Sequence, residues 1–113
     1  MTRRRRGRRP QSGHYAGATS EGEPVSFDIT PDGDVTNVIA GLAGTVISIS
    51  ERFPVDDSGR WEGAACGRGV CARMRGELGE IDAIGTVEVT LADAESGAQV
   101  AEWRARRISG HAH

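Results

Sequence analysis

Two cysteines and three histidines are the residues whose chemistry is easiest to recognise. Four residues separate Cys66 from Cys71, and the histidines are His14, His111 and His113. Structural zinc sites need four such ligands, and a gap of four residues is at the long end of the usual spacing. The cysteines are therefore open to three interpretations: a redox-switchable hairpin disulfide, two inert thiols, or half of a metal site. We expect no metal and no cofactor.

The second group able to do chemistry is a cluster of arginines at the N-terminus. Its members are Arg3, Arg4, Arg5, Arg6, Arg8 and Arg9. A block of like charges is expected to be disordered in isolation, and we assign it to an arm of residues 1–12. Arginines contact nucleic-acid backbone without sequence preference. A nucleic-acid arm is therefore one hypothesis, and a solubilising or docking tail is the other. The remaining chain has eight Arg against sixteen Asp and Glu, and this acidic body would repel DNA.

Other polar groups give no catalytic pattern. The oxygen-rich segment 56–59, Asp-Asp-Ser-Gly, lacks the spacing of a calcium loop and is interpreted as a turn. A nucleophilic Ser or Cys would need a positioned base, and nothing fixes the two tail histidines. Arg104 and Arg106 are interpreted as a solvated stripe. We expect no enzyme activity.

The elements that must position these residues are predicted to be strands. Ile and Val total 16 residues against three Leu, and β-branched side chains favour a pleated sheet. Sixteen glycines and 4% aromatic residues indicate many turns around a thin core. Every one of the 14 basic residues is Arg, which is typical of a coding bias.

The strongest local pattern is a hairpin within Val25–Ala40. Apolar and polar residues alternate before and after Pro-Asp-Gly-Asp at positions 31–34, a sequence that suits a tight turn. The predicted pairs are Thr30 with Val35 and Phe27 with Val38. The predicted inward residues are Val25, Phe27, Val38 and Ala40.

A second hairpin is predicted for Trp61–Leu78, with Cys66 opposite Cys71 on the polar face. The same register pairs Trp61 with Gly76, Gly63 with Met74, Ala65 with Ala72, and Glu62 with Arg75. Between the first two hairpins, Thr45–Ser50 is predicted to be a strand and Glu51–Arg60 a loop.

The last hairpin is predicted from Ile84–Ala92 and Ala98–Ile108. The predicted pairs are Val87 with Trp103, Val89 with Ala101, Gly85 with Ala105, Leu91 with Gln99 and Glu88 with Glu102. The rival interpretation is an amphipathic helix over Gly97–Ile108, because that segment contains good helix formers. The helix would leave Val100 and Trp103 in solvent, and we therefore predict a strand.

The opening of the folded part carries a family resemblance. Gly13-x-Tyr15-x-Gly17-x-Thr19-Ser20-x-Gly22-x-Pro24-Val25-Ser26-Phe27, followed by a glycine turn and Val35-Thr36-Asn37, resembles a group of small, largely uncharacterised β-sheet proteins frequent in actinobacteria. The resemblance covers about a third of the folded part. It implies a compact β-sandwich-like fold and no activity. Many such relatives look secreted.

These patterns together predict one all-β domain. We expect a single antiparallel β-sandwich or flattened barrel of about seven to eight strands at residues 13–108, with a tail at 109–113. The function expected is a non-catalytic binding or structural module with a protein partner. The alternatives are a phage- or virion-type protein using the arginine arm on nucleic acid, and an exported domain with a hairpin disulfide. No membrane contact is expected, and the cytoplasm is the predicted compartment because no export signal is recognised.

Overall fold

The computed structural model describes residues 12–42, 44–67, 69–79, 82–91 and 98–109. All regular secondary structure in these ranges is β-strand. The all-β prediction is therefore confirmed, and the helix rival for the C-terminal segment is wrong. The predicted arm, apart from Ser12, lies outside the described residues. The strands are β1 (Gly13–Thr19), β2 (Pro24–Ile29), β3 (Asp34–Leu42), β4 (Thr45–Ile49), β5 (Phe53–Pro54), β6 (Arg60–Gly67), β7 (Val70–Leu78), β8 (Asp82–Leu91) and β9 (Ala98–Ser109).

One antiparallel sheet contains all nine strands. Its order is β4-β3-β2-β1-β9-β8-β7-β6, and the two-residue β5 pairs with β3 beside β4. The ring of Phe53 in β5 stacks on Trp61 in β6, with ring centroids 6.4 Å apart. The two ends of the sheet therefore approach each other, and the sheet nearly closes. Of the two predicted architectures, the flattened barrel is the one found.

Aromatic rings from distant strands meet in the core. Phe27 packs against Trp61 and Trp103 with centroids 5.6 Å away in each case, and it stacks on Tyr15 at 5.2 Å. All four side chains are buried. Because successive strand residues face opposite sides of a sheet, the polar neighbours of these rings lie on the outer face. The predicted inward position of Phe27 is confirmed.

The second hairpin has the predicted register. Cys66 lies opposite Cys71, Trp61 opposite Gly76, and Glu62 opposite Arg75. The two cysteines form a disulfide bridge. Of the three interpretations of the cysteines, the structure contains the bridged pair, and that the bridge is redox-switchable stays a prediction.

The last hairpin has the predicted faces but not the predicted register. Trp103 lies opposite Gly85, not Val87, so the pairing is shifted by two residues. A shift of two keeps each side chain on its face, and Trp103 therefore remains buried as predicted. The observed register is better packed, because the large indole lies over a glycine. It also separates the like charges of Glu88 and Glu102, which were predicted to be partners, since Glu88 faces Val100.

The first hairpin contains a bulge that the sequence pattern did not predict. Val35 pairs with Ile29, not Thr30, and the register changes by one residue between Asp28 and Ser26. Asn37 lies in the interrupted part of β3 with φ 56°. A β-bulge accommodates one extra residue in β3 opposite β2. Asparagine tolerates the left-handed backbone conformation better than most residues. The predicted inward residues of this hairpin are nevertheless all buried.

Two glycines separate the tryptophans across the sheet. Trp61, Gly76, Gly85 and Trp103 are successive partners from β6 to β9. A β-carbon at Gly76 would meet the indole nitrogen of Trp61 and would lie 2.9 Å from Cζ2 of Trp103. At Gly85 it would overlap the carbonyl oxygen of Arg75. Only glycine leaves room for both indoles, and we call this row the Trp–Gly–Gly–Trp row.

The Trp–Gly–Gly–Trp row yields a stability prediction. Gly76→Ala should lower the free energy of unfolding by about 1–3 kcal/mol, because both indoles must move in a filled core. Urea unfolding followed by tryptophan fluorescence measures this.

Gly67→Ala is the matched control in the same hairpin. No atom lies within 4 Å of a β-carbon placed at Gly67. Its effect should stay within about 0.5 kcal/mol. Equal losses in the two variants would mean that the indoles do not constrain position 76.

Candidate functional site

A groove of about 870 Å³ lies against the Trp–Gly–Gly–Trp row. Gly76 and Gly85 line it at the centre, and most of its other lining residues are exposed side chains of β1, β6, β7, β8 and β9. Since these exposed residues alternate with the buried tryptophans, the groove belongs to the outer face of the sheet. We call it the outer groove.

Two rows of outward residues flank the glycines. One row is Glu62, Arg75, Thr86 and Glu102, and the other is Arg60, Glu77, Ile84 and Arg104. Within each row the members are cross-strand neighbours, so their side chains lie side by side. Charges of both signs therefore alternate along the groove, with one exposed apolar side chain, Ile84, among them.

Some of these charged side chains form ion pairs with each other. Arg75 Nε lies 3.4 Å from Glu62 Oε2, and Arg60 Nε lies 3.6 Å from Glu77 Oε2. By contrast, Arg104 and Glu102 make no ion pair within the part of the chain that the structure describes. Arg104 is the direct cross-strand neighbour of Ile84, whose side chain is 52% exposed. The groove therefore has a cation and an apolar contact side by side.

The two tryptophans behind the groove differ in their hydrogen bonding. Trp103 Nε1 donates to the carbonyl oxygen of Thr86 at 3.1 Å. Trp61 Nε1 is buried and has no hydrogen-bond partner among the described residues. This nitrogen lies where a β-carbon of Gly76 would point, on the inner side of the sheet. The nitrogen therefore belongs to the core, although Trp61 and Trp103 are themselves among the residues that line the outer groove.

The turn 56–59 borders the groove through Asp56. Asp56 Oδ1 accepts hydrogen bonds from Ser58 N at 2.9 Å, Ser58 Oγ at 2.7 Å and Arg60 N at 3.0 Å. These bonds, that of the Ser58 hydroxyl first, hold the pKa of Asp56 below its ordinary value. The carboxylate thus organises the turn leading into β6. The interpretation of this segment as a turn is confirmed.

A polar cluster on β1, β2 and β3 is separate from the groove. His14 Nδ1 lies 2.7 Å from Asp28 Oδ1, and Asn37 Nδ2 donates to Asp28 Oδ2 at 2.9 Å. These contacts tie three strands together beside the bulge. Nearby, burial raises the pKa of the Tyr15 phenol, the charge of Arg107 opposes this shift, and Asp82 adds to it.

The structure does not bring together the cysteines and histidines that were weighed as metal ligands. Cys66 and Cys71 are bonded to each other, His14 contacts Asp28, and His111 and His113 lie outside the described residues. Among the described residues, no group of three or more His, Cys, Asp or Glu could hold a metal ion.

The six arginines of the predicted nucleic-acid arm, Arg3, Arg4, Arg5, Arg6, Arg8 and Arg9, also lie outside the described residues. The nucleic-acid hypothesis stays a prediction. The described ranges contain no helix long and apolar enough to cross a membrane.

No protein-family model, curated protein or solved structure matches the chain. The resemblance to small actinobacterial β-sheet proteins therefore stays a prediction. The case for a function rests on the site itself. Sequence reasoning placed Arg104 in a solvated stripe and did not find the groove. The available signal was the glycine pair, Gly76 and Gly85, the first of which is flanked by the charged residues Arg75 and Glu77.

The depressed pKa of Asp56 predicts a pH-dependent contribution to stability. A carboxyl group whose pKa is lower in the folded chain than in the unfolded chain stabilises the fold at pH values above its pKa in the unfolded chain, which is about 4. This stabilisation is lost as the pH falls through the pKa of the group in the folded chain. Asp56→Ala should therefore be less stable than the natural chain at neutral pH, and the difference should vanish in acid.

Thermal unfolding of both chains from neutral pH to about pH 2 measures this difference. Asp57→Ala is the control, because the neighbouring Asp57 carboxylate accepts none of the three bonds made by Asp56. A stability difference between Asp56→Ala and the natural chain that stays constant with pH would contradict a stabilising role of the depressed Asp56 pKa.

Proposed function

We propose that the protein is a non-catalytic binding module that holds an extended segment of a protein partner in the outer groove. The observation that carries this proposal is the pairing of Arg104 with Ile84 in that groove. A site that binds without chemistry needs shape, an apolar contact and a few directional polar groups. The outer groove supplies all three.

The charges indicate what the segment carries. Arg104 has no ion-pair partner among the described residues, and its guanidinium suits a carboxylate. Ile84 beside it suits an apolar side chain. An extended segment with an acidic residue next to an apolar residue would satisfy both. Glu102 is two residues from Arg104 on the same face, and it disfavours a segment with several acids in a row.

The lining also argues against nucleic acid as the occupant of the groove. Four carboxylates line it, those of Asp56, Glu62, Glu77 and Glu102, against three arginines. Phosphates would be repelled by this surface, whereas a peptide with charges of both signs would not. A nucleic-acid role would therefore have to come from the arginine arm.

Selection from a random-peptide display library on the full-length protein tests the proposal. The selected peptides should carry an acidic residue beside an apolar one. Arg104→Glu should weaken their binding at least about tenfold, because a charge-assisted contact of about 1.5–3 kcal/mol becomes a repulsion. Calorimetry or fluorescence polarisation measures the affinity.

Arg106→Glu is the matched control for this experiment. Arg106 is on the same strand and face as Arg104, but it does not line the groove and lies 3.7 Å from Asp82. Its reversal should leave peptide affinity unchanged. A photo-crosslinker at position 84 should then capture the partner in native cells, whereas one at Val46, exposed on β4, should not. Equal effects of both arginine variants would contradict a groove-specific partner.

A second candidate, an exported small domain, is supported by the Cys66–Cys71 bridge. Disulfides persist in oxidising compartments and are rare in the cytoplasm, the compartment predicted from the sequence. Maleimide labelling of the protein from acid-quenched native cells discriminates an oxidising compartment from the cytoplasm. Protein from an oxidising compartment should resist labelling until it is reduced, whereas immediate labelling of both thiols would support the cytoplasm.

A further inference from the structure

The structure assigns a site of reversible thiol–disulfide exchange to the tip of the β6–β7 hairpin. We infer that the Cys66–Cys71 bridge reacts with small thiols and dithiols while the sheet stays folded, and that Cys66 is the sulfur attacked. The inference does not depend on the outer groove, which lies at the other end of the hairpin.

The bridge is accessible. Both cysteines are exposed on the outer face of the hairpin. A cavity of about 330 Å³ borders them, lined otherwise by Gly67, Gly69, Val70 and Thr90. Gly67 adds no side chain, and no atom lies within 4 Å of where its β-carbon would be. Exposed bridges are the labile ones among protein disulfides, because a thiolate can approach them.

The two sulfurs are not equally open. Exchange needs the incoming thiolate to line up with the S–S bond, which here runs across two strands. From the Cys71 side, the approach meets β8, where Thr90 is the partner of Cys71. On the Cys66 side no further strand is hydrogen-bonded to β6 among the described strands, because β6 is the last strand of the sheet, and Cys66 is exposed. The in-line path therefore leads to Sγ of Cys66.

The exchange proceeds in two balanced steps. A substrate thiolate forms a bond with Cys66 Sγ, the Cys66–Cys71 bond breaks, and Cys71 leaves as a thiolate that takes up a proton. A second thiolate then attacks the substrate sulfur of this mixed disulfide and releases Cys66 as a thiol. The protein gains two electrons and two protons, and two substrate thiols become one disulfide.

The sheet holds the cysteines together without the bridge. Backbone pairing joins β6 to β7 along the whole hairpin, and β8 pairs with β7 on its other side. Because the bridge spans a sequence separation of only 5, it constrains little of the unfolded chain. Reduction should therefore leave two neighbouring thiols that can be oxidised again.

Treating the oxidised full-length protein with glutathione, without denaturant, tests the inference. Acid-quenched samples analysed by mass spectrometry should show the mixed disulfide on Cys66. The rate should rise about tenfold per pH unit while the reagent thiol is mostly protonated, because the thiolate is the nucleophile. Dithiothreitol should open the bridge completely, and air or oxidised glutathione should restore it.

The fold is monitored in the same samples. The fluorescence of Trp61 and Trp103 and the far-ultraviolet circular dichroism should not change on reduction, and Cys66→Ser/Cys71→Ser should give the same spectra. The inference is overturned if the bridge reacts only in urea, or if the adduct forms on Cys71. It is equally overturned if reduction or the double variant unfolds the sheet, since the bridge would then be a structural requirement.

Discussion

The contact of two indole rings across a pair of glycines is the constraint on which this fold depends. Trp61 is in β6 and Trp103 is in β9, with two strands between them in the sheet, and their ring centroids are 6.3 Å apart. Gly76 and Gly85 lie between them and leave the space that the rings fill. Phe27 closes this cluster from the other half of the sheet. A chain with so few aromatic residues obtains a filled core in part by placing both indoles over positions without a side chain.

The outer groove lies on the opposite face of the sheet from the two indoles. The missing β-carbons of Gly76 and Gly85 leave room for the indoles on the inner face, and the outward neighbours of these glycines border the outer groove. The charged rows beside the groove are set by the alternation that buries the tryptophans, because each buried residue has outward neighbours on both sides. The position of the outer groove is thus a consequence of how the core is packed.

The disulfide lies away from the Trp–Gly–Gly–Trp row and the outer groove. It lies on the exposed face at the tip of a hairpin whose register is set by the backbone ladder and by Trp61 over Gly76. The core ends before it, since Ala65 and Val70 near the tip are only partly buried. We therefore infer that exchange at the two sulfurs would leave the packing that keeps the sheet closed unchanged.

The sequence by itself determined the all-β class, the inward faces and the complete register of the Cys66–Cys71 hairpin, because alternation and short turns are local properties. It did not determine the register of the last hairpin, since a shift of two residues leaves every face unchanged and only the fit of Trp103 over Gly85 selects one pairing. The bulge at Asn37 and the near closure of the sheet through Phe53 were likewise decided by tertiary packing. The outer groove belongs with them: Arg104 and Ile84 become neighbours only once that register is fixed, because they are distant in the chain.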